Sequence, residues 1–401
     1  METNDMKELI SVPTALQLCL DDVGWHNGRD MRYIGQPSRS GLPRDHHPLD
    51  YNILAELGAA IDMKIVCPLC LGEWDKDNIL RGEVGITHQP YTWDRASSID
   101  LEYTKKCFDS LEGASHIEYA IHGLMHGLYG EDGSLIWEQE YFYPGKKVNG
   151  WKQRLFDLND FCRRLDLFFK IYDSWGFSKN MRTFVSPCGA GKVNDETMSI
   201  MTNELASRGV RFWTNGSLGF DGNMKVYGKV ACMKKMGNFH GKEVPWEAYD
   251  FDPSHITDLG SEDNPLRSNV IGMHWTNFLR FHPENNLERL PAWIDYFKRQ
   301  SEVFDAMLSK DIAFTANQQF YRNYAALTVS EGEGECRCEI DVSEALKQKN
   351  TELDNVFYVN IKHETRPVSC DGGEISLYEK HKVFDTYKIR HTKDKVTLKL
   401  A

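Results

Sequence analysis

The stretch LCLDDVGW, residues 18–25, places two adjacent aspartates directly after an apolar run. Residues 13–22 (PTALQLCLDD) predict a short buried strand that ends at this pair. Two neighbouring carboxylates repel each other, so Asp21 and Asp22 need a nearby positive charge or full contact with water. The pair is therefore either part of a site that holds a cation or a helix N-cap with a solvated neighbour.

Short apolar segments alternate with amphipathic segments along roughly the first 320 residues. After residues 13–22, further strands are predicted at 63–69, 116–122, 182–187, 210–215, 268–275 and 312–318. Helices are predicted at 49–61, 99–113, 151–175, 194–208 and 291–308. This order is typical of a parallel α/β fold, and about seven β/α units predict closure into a barrel.

Several chemically active side chains follow these predicted strands. In parallel α/β folds the active site lies at the carboxyl ends of the strands. The residues at or just past such ends are Asp21, Asp22, His122, Pro187, Cys188 and His274. Their shared position is the first indication of a functional site.

The pattern of the sequence changes at about residue 325, where short segments that favour β-strands are separated by turns rich in Gly, Asp, Glu and Lys. This pattern predicts a small antiparallel β domain. We therefore divide the chain into a barrel domain at residues 1–322 and a β-rich accessory domain at residues 323–401.

Composition limits the classes of partner. The 401 residues are 41% hydrophobic and 26% charged, with a formal net charge of -12. An acidic surface argues against nucleic acid or an anionic membrane as a partner. The N-terminus lacks the basic and apolar regions of a secretory signal, and no apolar run has membrane-spanning length, so we expect a cytoplasmic protein. Homo-oligomer formation is left open.

The ten cysteines are scattered, as expected for reduced thiols. Cys67 and Cys70 form a C-x-x-C pair, but a structural zinc site needs a second pair with similar spacing. Cys336 and Cys338 have a different spacing. We therefore interpret KIVCPLC as a buried strand with small sulfur side chains packed inside.

A second informative stretch, AIHGLMHG, places His122 and His126 four residues apart after a predicted strand. On a helical turn this spacing brings both imidazoles to one ion. Two histidines and one carboxylate leave coordination positions open, which is typical of a catalytic metal site. If Asp22 is the carboxylate ligand, Asp21 can act as a general base, and the cation offsets the repulsion between them.

These residues carry a resemblance to a known family. LCLDDVG resembles the T-F-D-D-G motif of the polysaccharide deacetylase family of carbohydrate esterases. IEYAIHGLMHG is similar to its second motif, E-x-G-N-H-[ST]-x-x-H, with Glu118 in the place of the glutamate. RTFVSPCGAG resembles its R-x-F-R-x-P-Y-G motif, and IGMHW resembles its late L-H-D motif at His274. The four motifs occur in the family's order over about residues 12–320.

The resemblance implies a deformed (β/α)7 TIM-like barrel and a divalent metal held by Asp22, His122 and His126. Zinc is the expected ion, with cobalt, nickel and manganese as alternatives. Family members hydrolyse the acetamido C–N bond of amino sugars and release acetate.

Carried over by position, Asp21 would be the base and His274 the acid that protonates the leaving amine. The amide N–H of Cys188, after Pro187, would hold the oxyanion. Glu118 and Arg182 would support the metal ligands without binding the metal themselves.

The chain departs from the family pattern at three positions. The family's second arginine, which steadies the base, falls on Val185, the tyrosine after Pro187 is Cys188, and the aspartate after His274 is Trp275. A strand also turns Arg182 to the face opposite position 185. Arg29, Arg32 or Arg44 of the long first loop is a candidate replacement for the missing cation.

Other residues carry weaker hypotheses. Trp25 and Trp275 follow motif residues and are candidate platforms for a sugar face, although core packing explains most tryptophans. His46 and His47 could approach the metal but fit a solvated loop better. Cys188 is a less favoured nucleophile, because a metal mechanism needs none.

We expect from these patterns a cytoplasmic, metal-dependent hydrolase that deacetylates a small glycan, an amino sugar or a related amide. Two alternatives stay open. One is a carbohydrate-binding protein on a disabled barrel, and the other is a metal hydrolase of a non-sugar amide or ester.

Overall fold

Seven parallel strands form a closed ring in the computed structural model. In chain order they are Thr14–Asp21, Ile65–Cys70, Ile117–Gly123, Thr183–Phe184, Phe212–Asn215, Val230–Met236 and Val270–His274. Each strand pairs with the next along the chain, and the seventh pairs with the first. The predicted α/β fold with a TIM-like barrel is therefore confirmed.

The structure describes most of the chain. The described residues are 9–26, 42, 44–148, 151–189, 193–236, 252–262, 264–332, 335–348 and 353–401. Arg29 and Arg32 lie outside them. Within these ranges, no helix has both the length and the apolar character that crossing a membrane requires.

Helices lie between the barrel strands and after the last of them, and several begin at an Asp or Asn cap. Their bounds are Asn52–Ala60, Arg95–Ser98, Leu101–Gly113, Leu158–Trp175, Asp195–Ser207, Leu290–Ser301, Ile312–Tyr324 and Ser343–Lys347. The side chains of Asp100, Asp157, Asn194 and Asp311 accept backbone N–H groups of the first turns, which is the usual role of an N-cap. Gly176 ends the longest of these helices in the left-handed conformation, at φ 74°.

Two sequence predictions of barrel elements are wrong. Residues 312–318 form the start of helix Ile312–Tyr324, not a strand, because Ile312, Ala316 and Phe320 share one buried face. The missing barrel strand is Val230–Met236, which the sequence analysis left without an element. Its charged residues conceal its strand character.

The bounds of two predicted helices also differ from the structure. The expected helix at 151–175 begins only at Leu158, since Trp151–Leu155 pairs with Tyr143–Val148 as a hairpin. The expected helix at 291–308 ends at Ser301, and Ala306–Leu308 is a short strand beside the first barrel strand.

The barrel interior sets the position of the site. Cys19, Ala120 and Met233 belong to one buried cluster with helix Ile312–Tyr324, which closes the amino end of the barrel. Since side chains alternate across a strand, residues two positions further along point inward again at the carboxyl end. Those residues are Asp21, His122 and Lys235.

The C-terminal region is a sandwich of two four-stranded antiparallel sheets around one core. One sheet holds Ile10–Ser11, Val356–Lys362, Phe384–His391 and Gly373–Lys380, and the other holds Ala326–Gly332, Glu335–Asp341, Lys395–Leu400 and Pro367–Asp371. Strand Ile10–Ser11 therefore lies in the sandwich, although the predicted boundary assigns it to the barrel domain. Tyr321 also packs on Phe357, so helix Ile312–Tyr324 contacts both cores.

Candidate metal centre

Asp22, His122 and His126 converge at the carboxyl end of the barrel. Their candidate ligand atoms all lie within 4.8 Å of one another, and all three side chains are buried. The Oδ1 atom of Asp22 is 3.4 Å from Nε2 of His122 and 3.5 Å from Nε2 of His126. Residues about 100 positions apart in the sequence thus share one point.

The backbone at two of these residues is unusual. Asp22 has φ 68° and His126 has φ 50°, in the left-handed region that few side chains other than glycine adopt. Cys188, at the end of the neighbouring fourth strand, has φ 51°. Such conformations cost energy and cluster at functional sites, because the surrounding structure must hold them in place.

The candidate ligand atoms suit a divalent metal ion. Oδ1 of Asp22 and Nε2 of His122 are buried, and neither makes a well-formed hydrogen bond with the described residues. Two ligands that each lie about 2.0–2.2 Å from a tetrahedral centre are about 3.4 Å apart, which matches the two separations from Asp22. An Asp and two imidazoles could therefore hold zinc or a similar cation.

A main-chain carbonyl orients His122. Its Nδ1 atom lies 2.7 Å from the carbonyl oxygen of Val185, so Nδ1–H donates and Nε2 keeps its lone pair. Asn215 steadies this segment, since its side chain accepts from the Ser186 N–H at 3.0 Å and donates to the Ser186 carbonyl at 2.8 Å. Asn215 carries no sequence signal beyond its place at a strand end.

Charge inside the cluster favours an ionised Asp22. Burial raises the pKa of its carboxyl, but His126 and His122 lower it by more, so the pKa lies well below its usual range. Burial lowers the pKa of His122, whereas Asp22 and Asp21 raise it by more. The cluster thus holds an anionic ligand beside two imidazoles.

Asp21 contacts a different group, the ammonium of Lys235. Both side chains are buried, with 7% and 6% of each residue exposed. Burial raises the pKa of Asp21, but Lys235, His122 and His274 together lower it by more, and the net pKa is below the usual range. Lys235 is not a predicted site residue because it lies on Val230–Met236, where no strand was predicted.

His274 lies beside the same pair of aspartates. It is the register partner of Asp21 on the adjacent strand, and its Nε2 atom is 3.9 Å from Oδ2 of Asp22. Its backbone N–H donates to the Asn277 side chain at 2.9 Å. The structure therefore brings together Asp21, Asp22, His122, His126 and His274.

Glu118 and Arg182 do not join this cluster. Glu118 lies near the amino end of the third barrel strand, where it accepts the N–H of Ile312 at 2.8 Å. Arg182 precedes the fourth strand and lies over the Phe212 ring. Both residues lie at the opposite end of the barrel, because they stand at or before the start of their strands, whereas the site lies where the strands end.

Glu140 takes the supporting position instead. It is fully buried and accepts the N–H groups of Leu124 at 2.8 Å and His126 at 2.9 Å. Burial raises its pKa against the opposing effect of Arg164. A Cβ on Gly123 would lie 2.3 Å from its Oε2 atom, so the carboxylate packs directly against the loop that carries His126.

Pro187 and Cys188 follow the fourth barrel strand and border the cluster through Val185. The Pro187 carbonyl accepts from the Gln139 side chain at 2.5 Å, and Cys188 is exposed, with its Sγ 3.7 Å from Glu138. Gln139 also donates to the Gly189 carbonyl at 2.6 Å, which fixes this turn.

The proposed sugar platforms are core residues. Trp25 is 2% exposed and Trp275 is 0% exposed, so neither ring offers an open face. Trp275 stacks on His46, with ring centroids 4.1 Å apart, and donates to the Asp50 carbonyl. Packing, which explains most tryptophans, explains these two.

The first-loop cations also have other roles. Arg44 donates two hydrogen bonds of 2.8 Å to Asp50, so it does not pair with Asp21. His46 is buried beside Asp50, and His47 is exposed.

Cys67 and Cys70 are buried thiols of the second barrel strand, as expected.

Comparisons with known proteins add little to this geometry. No protein-family model matches the chain, and no curated protein matches it. A GH57-type branching enzyme from Pyrococcus horikoshii is similar at 10% identity over 75% of this chain and 69% of that chain, with a TM-score of 0.37.

Two further solved structures have comparable scores. The catalytic domain of the GH30 xylanase C from Talaromyces cellulolyticus has 8% identity, coverages of 98% and 99%, and a TM-score of 0.31. A GH57 branching enzyme from Thermococcus kodakaraensis has 11% identity, coverages of 74% and 63%, and a TM-score of 0.29. At these values the likeness carries no argument about activity, and none of the three is named as a deacetylase.

Proposed function

We propose that this chain is a metal-dependent hydrolase that removes an acetyl group from an N-acetylated sugar or a related amide. One observation carries the proposal: Asp22, His122 and His126 meet at a buried point with Asp21 and His274 beside them. A bound divalent ion supplies polarisation of the carbonyl group and a lower pKa of water.

The residues of the chain divide the remaining work. Asp21 is ionised at neutral pH and accepts the proton of the water that attacks the acetamido carbon. The backbone N–H of Cys188 donates to the oxygen that becomes negative as the tetrahedral intermediate forms. His274 then donates a proton to the amine nitrogen as the C–N bond breaks, which leaves acetate and a free amine.

Acetate release tests the proposal directly. The purified protein is stripped with a chelator, reloaded with zinc, cobalt, nickel or manganese, and incubated with N-acetylated hexosamines and short N-acetylated oligosaccharides. We expect release that depends on the added metal and falls at least about a thousandfold in Asp22→Asn. His47→Gln changes an exposed histidine outside the cluster and serves as the matched control.

The same panel separates the alternatives. Sugar binding without acetate release by the metal-loaded protein would indicate a binding protein. Release from non-sugar amides or esters alone would indicate a different substrate class. Activity that survives complete removal of metal would overturn the proposal.

A further inference from the structure

Lys235 reaches the carboxyl end of the barrel from the sixth strand, where it contacts Asp21, the neighbour of the candidate metal ligand Asp22. We infer that Lys235 captures Asp21 and thereby keeps it out of the metal coordination, so that Asp22 alone is the carboxylate ligand and Asp21 stays available as the base. The role of Asp21 as a base rests on the proposed function. The claim that Lys235 keeps Asp21 away from the metal concerns metal binding alone.

The contact between the two side chains is the first support. The Lys235 ammonium touches Oδ2 of Asp21, and both groups are buried. A buried lysine is costly unless it is paired, so its retention at this point needs a compensating partner. Asp21 is that partner, while the carboxylate of Asp22 faces His122 and His126.

Gly272 provides the space for this arrangement. A Cβ atom at Gly272 would lie 2.6 Å from Cδ, 2.8 Å from Cε and 2.8 Å from Cγ of Lys235. Any larger residue would push the aliphatic part of the lysine away from its present path. The seventh strand is therefore shaped around Lys235, two residues before it ends at His274.

The neighbouring strand positions explain why the cation comes from the sixth strand. Val185 is apolar and fully buried, and its carbonyl is already occupied by His122. Arg44 is bound to Asp50. Among the described residues, Lys235 is the lysine or arginine with a recorded ion pair to Asp21.

Removal of this lysine should change metal binding in an unexpected direction. An Asp21 without its cation can turn to the ion as an additional anionic ligand, and a positive charge near the ion is lost. Both effects tighten metal binding, while turnover falls because the base is consumed as a ligand. A purely structural role for Lys235 would instead weaken metal binding and activity together.

The experiment compares cobalt affinity, cobalt absorption spectra and acetate release between the wild type and a set of variants. Lys235→Met should bind cobalt at least about tenfold more tightly, with a changed visible spectrum and turnover at least about a hundredfold lower. Lys235→Arg keeps the charge and should stay within about threefold of the wild type for affinity. Lys234→Met, one position along the same strand with its ammonium over Phe220, is the matched control and should change neither.

Gly272→Ala adds an independent arm, since it retains Lys235 but displaces its side chain. We expect it to shift cobalt affinity in the same direction as Lys235→Met. In an Asp21→Asn background, Lys235→Met should tighten cobalt binding by no more than about threefold, because a neutral amide gains little by turning to the ion.

Unchanged or weaker cobalt binding in folded Lys235→Met would overturn the inference. If that variant does not fold, Gly272→Ala decides, and unchanged or weaker binding there has the same consequence. These binding results do not require a substrate. Tighter binding together with no acetate release by the wild type would uphold the capture of Asp21 and overturn the deacetylase proposal.

Discussion

The Nδ1 atom of His122 lies 2.7 Å from the carbonyl oxygen of Val185, and this contact fixes which ring nitrogen faces Asp22. Because the acceptor is main chain, this contact does not depend on which side chain stands at position 185. The position of the carbonyl depends on Asn215, which binds Ser186 through both its backbone groups.

Asn215→Ala should therefore weaken metal binding without touching a ligand. The variant removes three buried hydrogen bonds with Ser186 and leaves the Trp213 indole N–H without its acceptor at 2.6 Å. We expect a loss of about 1–3 kcal/mol in the free energy of unfolding and a cobalt affinity about tenfold lower. Urea unfolding and cobalt titration measure the two effects. A destabilised variant with wild-type cobalt affinity would contradict the coupling to His122.

Glu140→Gln tests the support of the other histidine. Both carboxylate oxygens accept backbone N–H groups, so an amide nitrogen in their place would face a donor. We expect a cobalt affinity about 10–100-fold lower, since groups that orient a ligand typically have effects of this size. Exposed Glu131→Gln is the control, measured in the same titration. Equal affinities in the two variants would show that the His126 loop does not depend on Glu140.

Divalent metal should stabilise the native chain. A ligand that binds only the folded state at 100 times its Kd adds about 2.7 kcal/mol to the free energy of unfolding. Thermal unfolding with and without zinc measures this gain, and Asp22→Asn should lose more than half of it. An equal metal-induced shift in that variant would place the stabilising ion elsewhere.

The sequence predicted the barrel well where strands are short, apolar and bounded by turns. Residues 312–318 were predicted as a strand but begin a helix, because a short apolar run fits a strand or one face of a buried helix equally well. Val230–Met236 was missed because Lys234 and Lys235 interrupt its apolar pattern. Without this strand no lysine or arginine is predicted beside Asp21, and the first-loop arginines are then the only candidates that the sequence offers, although the structure pairs Asp21 with Lys235.

The cluster of Asp22, His122 and His126 could be predicted from the sequence because its residues follow predicted strands in recognisable spacings. Glu140 could not, since it lies on a connecting segment 14 residues from His126 and reaches the site only through the fold. Glu118 was expected behind the metal ligands, but it lies at the amino end of its strand. A match to a motif position predicts the residue type but not how far along the barrel the residue lies.

The pH dependence of stability should depend in part on Glu118. Burial and the neighbouring Asp311 raise its pKa to about 8, well above the value of about 4.3 expected in the unfolded chain. The folded state therefore binds this proton more tightly, and stability from this group is present below pH 4 and is lost as the pH rises to 8. Each pH unit in that window costs up to about 1.4 kcal/mol.

Glu118→Gln should flatten this part of the stability profile, because the amide oxygen still accepts the Ile312 N–H but carries no charge. We expect the variant to be about 4–5 kcal/mol more stable than the wild type at pH 8.5 and within about 1 kcal/mol of it at pH 5. Urea unfolding at the two pH values checks the result, with exposed Glu131→Gln as the control. A stability difference that does not change with pH would show that Glu118 does not hold a proton at neutral pH.

Trp275→Phe separates core packing from sugar binding. The indole is fully buried, stacks on His46 and donates to the Asp50 carbonyl at 3.1 Å, so its replacement removes a hydrogen bond and leaves a small void. We expect a loss of about 1–3 kcal/mol in the free energy of unfolding, with KM for the acetylated substrate within about twofold of the wild type. Tyr91→Phe, at a residue 62% exposed, controls for the loss of an aromatic polar group at the surface. A KM raised tenfold at unchanged stability would mean that the ring contacts substrate after all, and that the packed position of Trp275 opens during turnover.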